Sequence, residues 1–157
     1  MKIAIGCDHA AVDARTLAIS TVERLGHSVI AITGPKTSSE KYDYPDAAHE
    51  VVVALRGLTS DNTLPDPTEA VGIVVCGSGI GICMAANKHS GVRCALCHDH
   101  YSAKMCRAHN NANILAMGAR TTGPDIIVEM IETFLSTPFE GGRHQGRLDK
   151  IMSYQNA

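Results

Sequence analysis

The sequence predicts a single α/β domain of the doubly wound type, with a five-stranded parallel sheet and helices on both of its faces. Three observations predict this class. Five short apolar runs alternate with stretches of helical apolar spacing from one end of the chain to the other. The runs are almost wholly apolar, which is typical of strands covered on both faces. The 157 residues fit one domain with a core of its own.

The predicted strands are runs of six residues that each hold several of Val, Ile, Leu and Ala. In chain order they are KIAIGC (2–7), SVIAIT (28–33), VGIVVC (71–76), RCALCH (93–98) and NILAMG (113–118). Apolar spacing predicts the helices that separate and follow them, over 12–25, 45–56, 101–109 and 125–135, with a further one after Gly79. Because a helix follows each strand, we expect the strands to run in the same direction.

Two segments stand outside this alternation. Residues 57–70, GLTSDNTLPDPTEA, carry two prolines and many polar turn formers, which predicts a loop or insertion before the third strand. Residues 141–157 follow directly from a glutamate and open with a glycine pair, and the pattern predicts a short tail helix. We expect one domain over residues 1–157.

Composition excludes some classes of partner. The formal net charge of −2 and the pI near 6.4 predict no general attraction to nucleic acid or to acidic membranes, so any anion must be bound locally. The polar residues Asp8 and His9 interrupt the N-terminal apolar run before it reaches the length of the apolar region of a signal peptide. No apolar run is long enough to span a membrane. We therefore expect a cytoplasmic protein whose six cysteines are mostly reduced thiols.

Chemically active side chains follow the predicted strands. In doubly wound folds ligands bind beyond the carboxyl ends of the strands. The residues that follow four of the five strands, or end them, are Cys7, Asp8 and His9; Cys76; His98, Asp99 and His100; and Arg120. We expect the functional site among them.

The stretch CGSGIGICMAANK (76–88) has a glycine at every second position from Gly77 to Gly81. Such spacing lets backbone N–H groups converge on an anion or a developing oxyanion, aided by the dipole of the helix behind. It matches neither the dinucleotide fingerprint nor a Walker loop, and Ile82 stands where a cysteine phosphatase needs arginine. A tight turn with nothing bound is the alternative.

Cys76 precedes the predicted helix, where a thiolate is stabilised and can act as nucleophile or base; a buried inert thiol is the alternative. CALCH (94–98) has the letters of a haem attachment site, but it lies inside an apolar strand. Zinc is also disfavoured, because Cys94 and Cys97 have no second pair at finger spacing. A thiol redox protein that uses these two cysteines stays open.

The other candidate site residues also fit ordinary structural roles. Asp8 is also suited to capping a helix, and His109 with Asn110 ends a predicted helix, where histidine often only complements the dipole. Arg143 and Arg147 are four residues apart and so share a helical face. They are either solvated or directed at a phosphate dianion.

Five blocks together resemble a known family: GCDHA, DYPDAA, CGSGIGICMAANK, RAHNNANILAMGAR and EGGRHQGR. They are similar, in order and nearly end to end, to the signature blocks of type B ribose-5-phosphate isomerases. The wider sugar-phosphate isomerase family also includes galactose-6-phosphate and allose-6-phosphate isomerases. The resemblance implies a Rossmann-like five-stranded sheet, no metal or coenzyme, and a homodimer or dimer of dimers. It implies the aldose–ketose interconversion of ribose 5-phosphate and ribulose 5-phosphate through an enediolate.

The resemblance also implies roles for residues of this chain. Cys76 corresponds to the base that moves a proton between C1 and C2; another subgroup has Ser there and Glu at position 82, which is Ile82 here. The amides of the glycine loop would then stabilise the enediolate. The loop donors are Gly77, Ser78, Gly79 and Gly81. The implied phosphate ligands are His9, Arg120, Arg143 and Arg147.

His109 corresponds to the acid that opens the sugar ring, with Ser78 assisting. Asp8 would bind the sugar hydroxyls, Asn110 an enediolate oxygen, and Tyr44 would line the pocket. The resemblance further implies that a partner subunit supplies His109, Asn110 and Arg120. The 57–70 loop is longer than the family pattern, and Ser78 stands where many relatives have Thr. A preference for hexose 6-phosphates, and a non-catalytic phosphate- or nucleotide-binding module, stay open as alternatives.

Overall fold

The computed structural model describes residues 1–156, which form one five-stranded sheet with all neighbours parallel. The strands are β1 (Lys2–Cys7), β2 (Ser28–Thr33), β3 (Ala70–Cys76), β4 (Cys94–Leu96) and β5 (Ile114–Gly118). Their order across the sheet is β2-β1-β3-β5-β4. The predicted parallel α/β sheet is therefore confirmed.

The helices connect the strands as the apolar spacing predicted, with ends that differ by about one residue. They are α1 (Val12–Arg24), α2 (Tyr44–Arg56), α3 (Ile80–Ala86), α4 (His100–Ala108), α5 (Pro124–Ser136) and α6 (Gln145–Ser153). The predicted tail helix is in fact α6 between two short 3₁₀ segments, Gly142–His144 and Tyr154–Asn156. Position 157 lies outside the described residues.

Two apolar cores lie on the two faces of the sheet. Ile73 and Val75 of β3 pack with residues of α1, α4 and α5, whereas Val74 and Cys76 pack with residues of α2 and α3. This alternation follows from the two-residue period of a strand, and it requires strands that are apolar on both faces. Helices thus cover both faces, as expected for a doubly wound sheet.

The edge strand β4 is shorter than predicted, and its residues bear on the alternative of a thiol redox protein. It spans only Cys94–Leu96 rather than 93–98, and the Asn87 side chain both accepts from the Cys94 N–H and donates to its C=O, at 2.9 Å each. Because Asn87 occupies both backbone groups of Cys94, no further strand can pair with β4 at this residue. Cys94 packs on the α2–α3 face and Cys97 on the other, so the two thiols do not form the pair that a redox protein would need.

Residues 57–69 form the irregular connection before β3, one residue shorter than predicted because Ala70 already pairs with Lys2 of β1. None of the six cysteines, all within the described residues, forms a disulfide. Among residues 1–156, no helix has both the length and the apolar character needed to cross a bilayer.

Strand order determines where a ligand can bind. From β1 the chain moves to β2 on one side, and β3 then lies on the other side of β1. The crevice beyond the carboxyl ends of β1 and β3 is therefore the switch point at which doubly wound sheets bind their ligands.

Candidate active site

A cavity of about 340 Å³ opens at this switch point. It is lined by residues that follow β1, β3 and β5 and by the start of α2, namely Asp8, His9, Ala10, Tyr44, Cys76, Gly77, Ser78, Gly81, Arg120 and Thr121. We call it the strand-tip pocket. Half of the eight residues that the sequence singled out at the strand ends line this pocket, whereas Cys7, His98, Asp99 and His100 do not.

Cys76 is the last residue of β3 and is only 4% exposed. The backbone N–H of Gly79 donates to its Sγ at 3.1 Å. Gly79 has a φ of 77°, a left-handed conformation that glycine adopts without strain, and it starts α3 immediately behind the thiol. The Cys76 sulfur thus accepts a backbone hydrogen bond at the start of a helix.

This contact corrects the role expected for Gly79. Gly79 is buried behind the pocket wall, and its N–H points at the sulfur rather than into the pocket. Gly77, Ser78 and Gly81 do line the pocket. Three residues of the loop therefore line the cavity, and a fourth donates its N–H to the thiol.

Asp8 and His9 follow β1. Asp8 is 8% exposed, and its Oδ1 accepts the N–H of Ala10 at 3.0 Å. It does not cap α1, whose N-cap residue is Ala11. His9 is exposed, and its Nδ1 lies 3.1 Å from the carbonyl oxygen of Tyr42. Since a carbonyl can only accept, Nδ1 carries the proton in the neutral ring and Nε2 is the acceptor.

Tyr44 forms one wall of the pocket, and its ring packs directly over Gly81. A Cβ on Gly81 would lie 2.7 Å from Tyr44 Cζ, closer than carbon atoms approach without a shift. The missing side chain at position 81 therefore lets the tyrosine ring lie against α3, with 41% of the residue still exposed.

Arg120 corrects a further expectation, because it reaches the pocket of its own chain. Its N–H donates to Gly77 O at 2.9 Å, and its Cδ lies 3.6 Å from the Cβ position of Gly77. The reason is strand order: β5 pairs directly with β3, so the tips of these strands are neighbours. A partner subunit is not needed to supply Arg120.

His109, Asn110, Arg143 and Arg147 do not line the strand-tip pocket. His109 ends α4, at the edge of the sheet where strands begin, and Asn110 lines a separate cavity beside α6. The seven residues of β3 separate the two edges by about 20 Å. The four predicted site residues thus form a second group on the same chain.

This second group centres on two stacked histidines. The rings of His109 and His144 lie 4.2 Å apart and within 9° of parallel, and Nε2 of each is 3.6 Å from Glu140 Oε2. Arg143 Nε donates to His144 Nε2 at 3.5 Å. Burial, followed by the charges of His109 and Arg143, lowers the pKa of His144 below its ordinary value. Burial and these charges therefore disfavour the cationic form of His144.

Four contributors were missed by sequence reasoning. Thr121 lines the pocket, the Tyr42 carbonyl orients His9, and Glu140 and His144 surround His109. Thr121 could have been predicted from the sequence, because it directly follows Arg120. Glu140 and His144 lie in the EGGRHQGR block, but nothing local shows that they contact α4.

A sequence profile described as ribose/galactose isomerase matches residues 3–151. The chain belongs to this family. Ribose-5-phosphate isomerase B of Escherichia coli (strain K12) is 37% identical, over 98% of this chain and 96% of the relative. D-erythrulose-4-phosphate isomerase of Pectobacterium atrosepticum is also 37% identical, over 99% and 96%. The solved structure of Clostridium thermocellum ribose-5-phosphate isomerase B has a TM-score of 0.88 at 38% identity, covering 99% of this chain and 98% of its own.

Membership of the family confirms the resemblance read from the five blocks. The protein is an isomerase with a Rossmann-like α/β fold. A non-catalytic binding module is accordingly disfavoured.

Proposed function

We propose that the protein interconverts ribose 5-phosphate and ribulose 5-phosphate through an enediolate, with Cys76 as the base. The observation that carries this proposal is the buried Cys76 thiol, which accepts the Gly79 N–H inside a pocket that also holds a carboxylate, a histidine and an arginine. An isomerase of aldose and ketose phosphates needs a base for carbon-bound protons, donors for an oxyanion and cations for phosphate.

The other thiols suit the base less well. Cys7 also ends a strand at this edge, but it faces the opposite core, and burial raises its pKa to about 11. Hydrogen bonding with Cys94 lowers the pKa of the Cys83 thiol to about 7 despite partial burial. Cys83 does not line the strand-tip pocket, however. We therefore choose Cys76 as the base because it lies in the strand-tip pocket.

Ring opening precedes the isomerisation, because the aldose exists mainly as a furanose. His109 donates a proton to the ring oxygen as the C1–O4 bond breaks, and Asp8 accepts the proton of the C1 hydroxyl, which leaves the C1 aldehyde. Asp8 suits this role because its carboxylate is buried at the pocket wall and one oxygen is held by Ala10. Ser78, in the same wall, assists through its hydroxyl.

The Cys76 thiolate then removes the proton from C2. The C–H electron pair forms the C1=C2 bond, and the carbonyl oxygen becomes the enediolate oxygen, which the amides of Gly77, Ser78 and Gly81 and the side chain of Asn110 stabilise. The thiol returns the proton to C1, and the proton of the C2 hydroxyl passes to O1. The product is the C2 ketone.

Phosphate binding and ring opening together require a second copy of the chain. His9 and Arg120 lie in the strand-tip pocket, whereas Arg143, Arg147 and His109 lie at the opposite edge of the sheet. We infer that a homodimer, or a dimer of dimers, brings the second group of one chain to the pocket of the other. Ile80 and Met84, exposed one turn apart on α3 beside the glycine loop, are suited to burial in that interface.

The test is formation of ribulose 5-phosphate from ribose 5-phosphate without added cofactor. Parallel reactions contain erythrose 4-phosphate, because one relative bears a tetrose-phosphate name, and allose and galactose 6-phosphates. We expect the highest kcat/KM with ribose 5-phosphate. Higher values with a hexose phosphate would reassign the substrate, and no turnover of any of them would remove the proposal. We further propose a cytoplasmic role in pentose phosphate metabolism.

Cys76→Ala tests the base. Loss of the base should lower kcat by at least about 100-fold with the fold intact, as judged by circular dichroism. Cys83→Ala is the matched control, because it removes the more acidic thiol on the adjacent helix and should keep wild-type kcat. The opposite pattern, with Cys83→Ala inactive and Cys76→Ala active, would contradict the assignment.

A further inference from the structure

His109, Glu140 and His144 form a compact group that the proposed chemistry uses only through His109. We call it the His–Glu–His cluster. Its three ligating atoms lie within 4.8 Å of one another. His144 is buried, the His109 side chain is 35% exposed and Glu140 is 57% exposed. Within the cluster, exposure thus increases from the His144 ring to the His109 ring and then to the Glu140 carboxylate.

The backbone builds this cluster by folding the segment after α5 back onto α4. The Glu140 N–H donates to Ala108 O, one residue before His109, at 2.9 Å. Gly141 and Gly142 then take φ values of 63° and 55°, which few other residues adopt. The reversal brings His144 over the His109 ring, and the His144 N–H closes the turn on Gly141 O at 3.0 Å.

Two features show that the cluster is not arranged to coordinate a metal ion. The lone pair of an imidazole nitrogen lies in the ring plane, and these rings are within 9° of parallel, so the two Nε2 lone pairs do not converge on one point. In addition, the Arg143 guanidinium contacts His144 and the positive charge of Arg147 also acts on it, which opposes a dication. The geometry instead fits a carboxylate that contacts two stacked rings.

Glu140 contacts both rings, but the two rings differ in burial. The pKa of His144 is lowered chiefly by burial, while Glu140 acts in the opposite direction. His109 is more exposed and also faces the carboxylate at 3.6 Å. His109 is therefore the ring of the pair that is open to a substrate, with Glu140 beside its Nε2.

We propose that Glu140 and His144 are positioning residues for His109 in the ring-opening step. Glu140 takes the Nε2 side of the His109 imidazolium, and stacking on His144 fixes the ring plane, so that Nδ1–H is the donor to the sugar ring oxygen. In that step the C1–O4 bond breaks, its electron pair and the Nδ1 proton go to O4, and Asp8 takes the C1 hydroxyl proton. The inference rests on the proposed isomerase function.

The experiment compares the wild type with Glu140→Gln, which keeps the shape of the side chain and removes its charge. Glu129→Gln is the matched control. Glu129 lies in α5 and pairs, at 3.3 Å, with His100 at the start of α4, the end opposite to His109. Two quantities are measured: kcat/KM for ribose 5-phosphate, and the inhibition constant of D-erythronohydroxamate 4-phosphate. This acyclic compound copies the enediolate and needs no ring opening.

We expect Glu140→Gln to lower kcat/KM about tenfold, less than the roughly 10²–10⁴-fold lost when a general acid itself is removed, because His109 is still present. Its inhibition constant should stay within about twofold of wild type, and Glu129→Gln should match wild type in both quantities. His144→Ala should lose turnover similarly, and His144→Phe, which keeps a flat ring, should recover most of it.

Unchanged turnover in Glu140→Gln with an active wild type would overturn the positioning role alone. So would an inhibition constant that rises in step with the loss of turnover, since that pattern indicates a distorted site. A wild type that does not convert ribose 5-phosphate would overturn the proposed function and this inference with it.

Discussion

Gly81 and Tyr44 show at the scale of single residues how an absent side chain shapes the pocket. The tyrosine ring occupies the space that a Cβ at position 81 would need, 2.7 Å from Cζ. A glycine inside the first turn of α3 weakens the helix, so its presence there has a packing reason. That reason is the pocket wall.

Gly81→Ala should therefore displace Tyr44 and weaken substrate binding. We expect KM to rise about fivefold, equivalent to about 1 kcal/mol of overpacking, with a smaller change in kcat. Steady-state kinetics of the single variants and of Gly81→Ala with Tyr44→Ala tests this. Because both changes act on one contact, their effects should not add. Additive losses would show that Gly81 acts independently of the ring.

At the scale of elements, α4 links the cap at its start to His109 at its end. Asp99 Oδ1 accepts the Ser102 N–H at 2.7 Å, and Ser102 Oγ accepts the Asp99 N–H at 3.4 Å, which completes a capping box. Hydrogen bonding from the Ser102 N–H lowers the pKa of Asp99. A group whose pKa is lower in the folded state stabilises it above the unfolded pKa of about 3.9, and loses that effect as pH falls through the folded pKa.

Asp99→Ala should accordingly lower Tm by about 2–4 °C at pH 7, through loss of the cap. The difference from wild type should shrink as pH falls below about 4, because the wild-type carboxyl is then protonated too. Thermal unfolding followed by circular dichroism between pH 7 and pH 3 measures this. Asp125→Ala, in the first turn of α5, is the control and should change Tm less. A pH-independent difference would contradict the electrostatic part of the explanation.

At the scale of the whole molecule, the two groups of site residues lie at opposite edges of one sheet. Cys76 ends β3, and His109 ends the helix that returns to the start of β5. A site that uses both must combine two chains, and two-fold symmetry then makes two such sites in each dimer.

Mixing two inactive proteins tests this sharing. Cys76→Ala and the double variant His109→Asn, Asn110→Ala are unfolded and refolded as an equal mixture. About half of the dimers are then mixed, and each has one undamaged site and one site with every lesion. Activity should return to about a quarter of wild type. A mixture no more active than its parents, with mixed dimers shown by mass spectrometry, would contradict a site that combines Cys76 of one chain with His109 of the other.

The sequence by itself determined the alternation of strands and helices, because apolar period and turn chemistry are local properties. It also determined that Asp8, His9, Cys76 and Arg120 lie at the tips of parallel strands, since all such tips share one edge. The residue types there indicated anion and proton chemistry, and the five blocks indicated the family.

Only the tertiary structure decided which tips are neighbours and which residues are separated. The order β2-β1-β3-β5-β4 puts Arg120 beside Gly77 of its own chain, and lateral order depends on contacts between distant segments that no local pattern records. Likewise, the direction of the Gly79 N–H follows from its left-handed backbone. His144 lies 35 residues after His109, and their stacking depends on the chain reversal at Gly141 and Gly142, where long-range packing selects one arrangement among many that the sequence pattern allows.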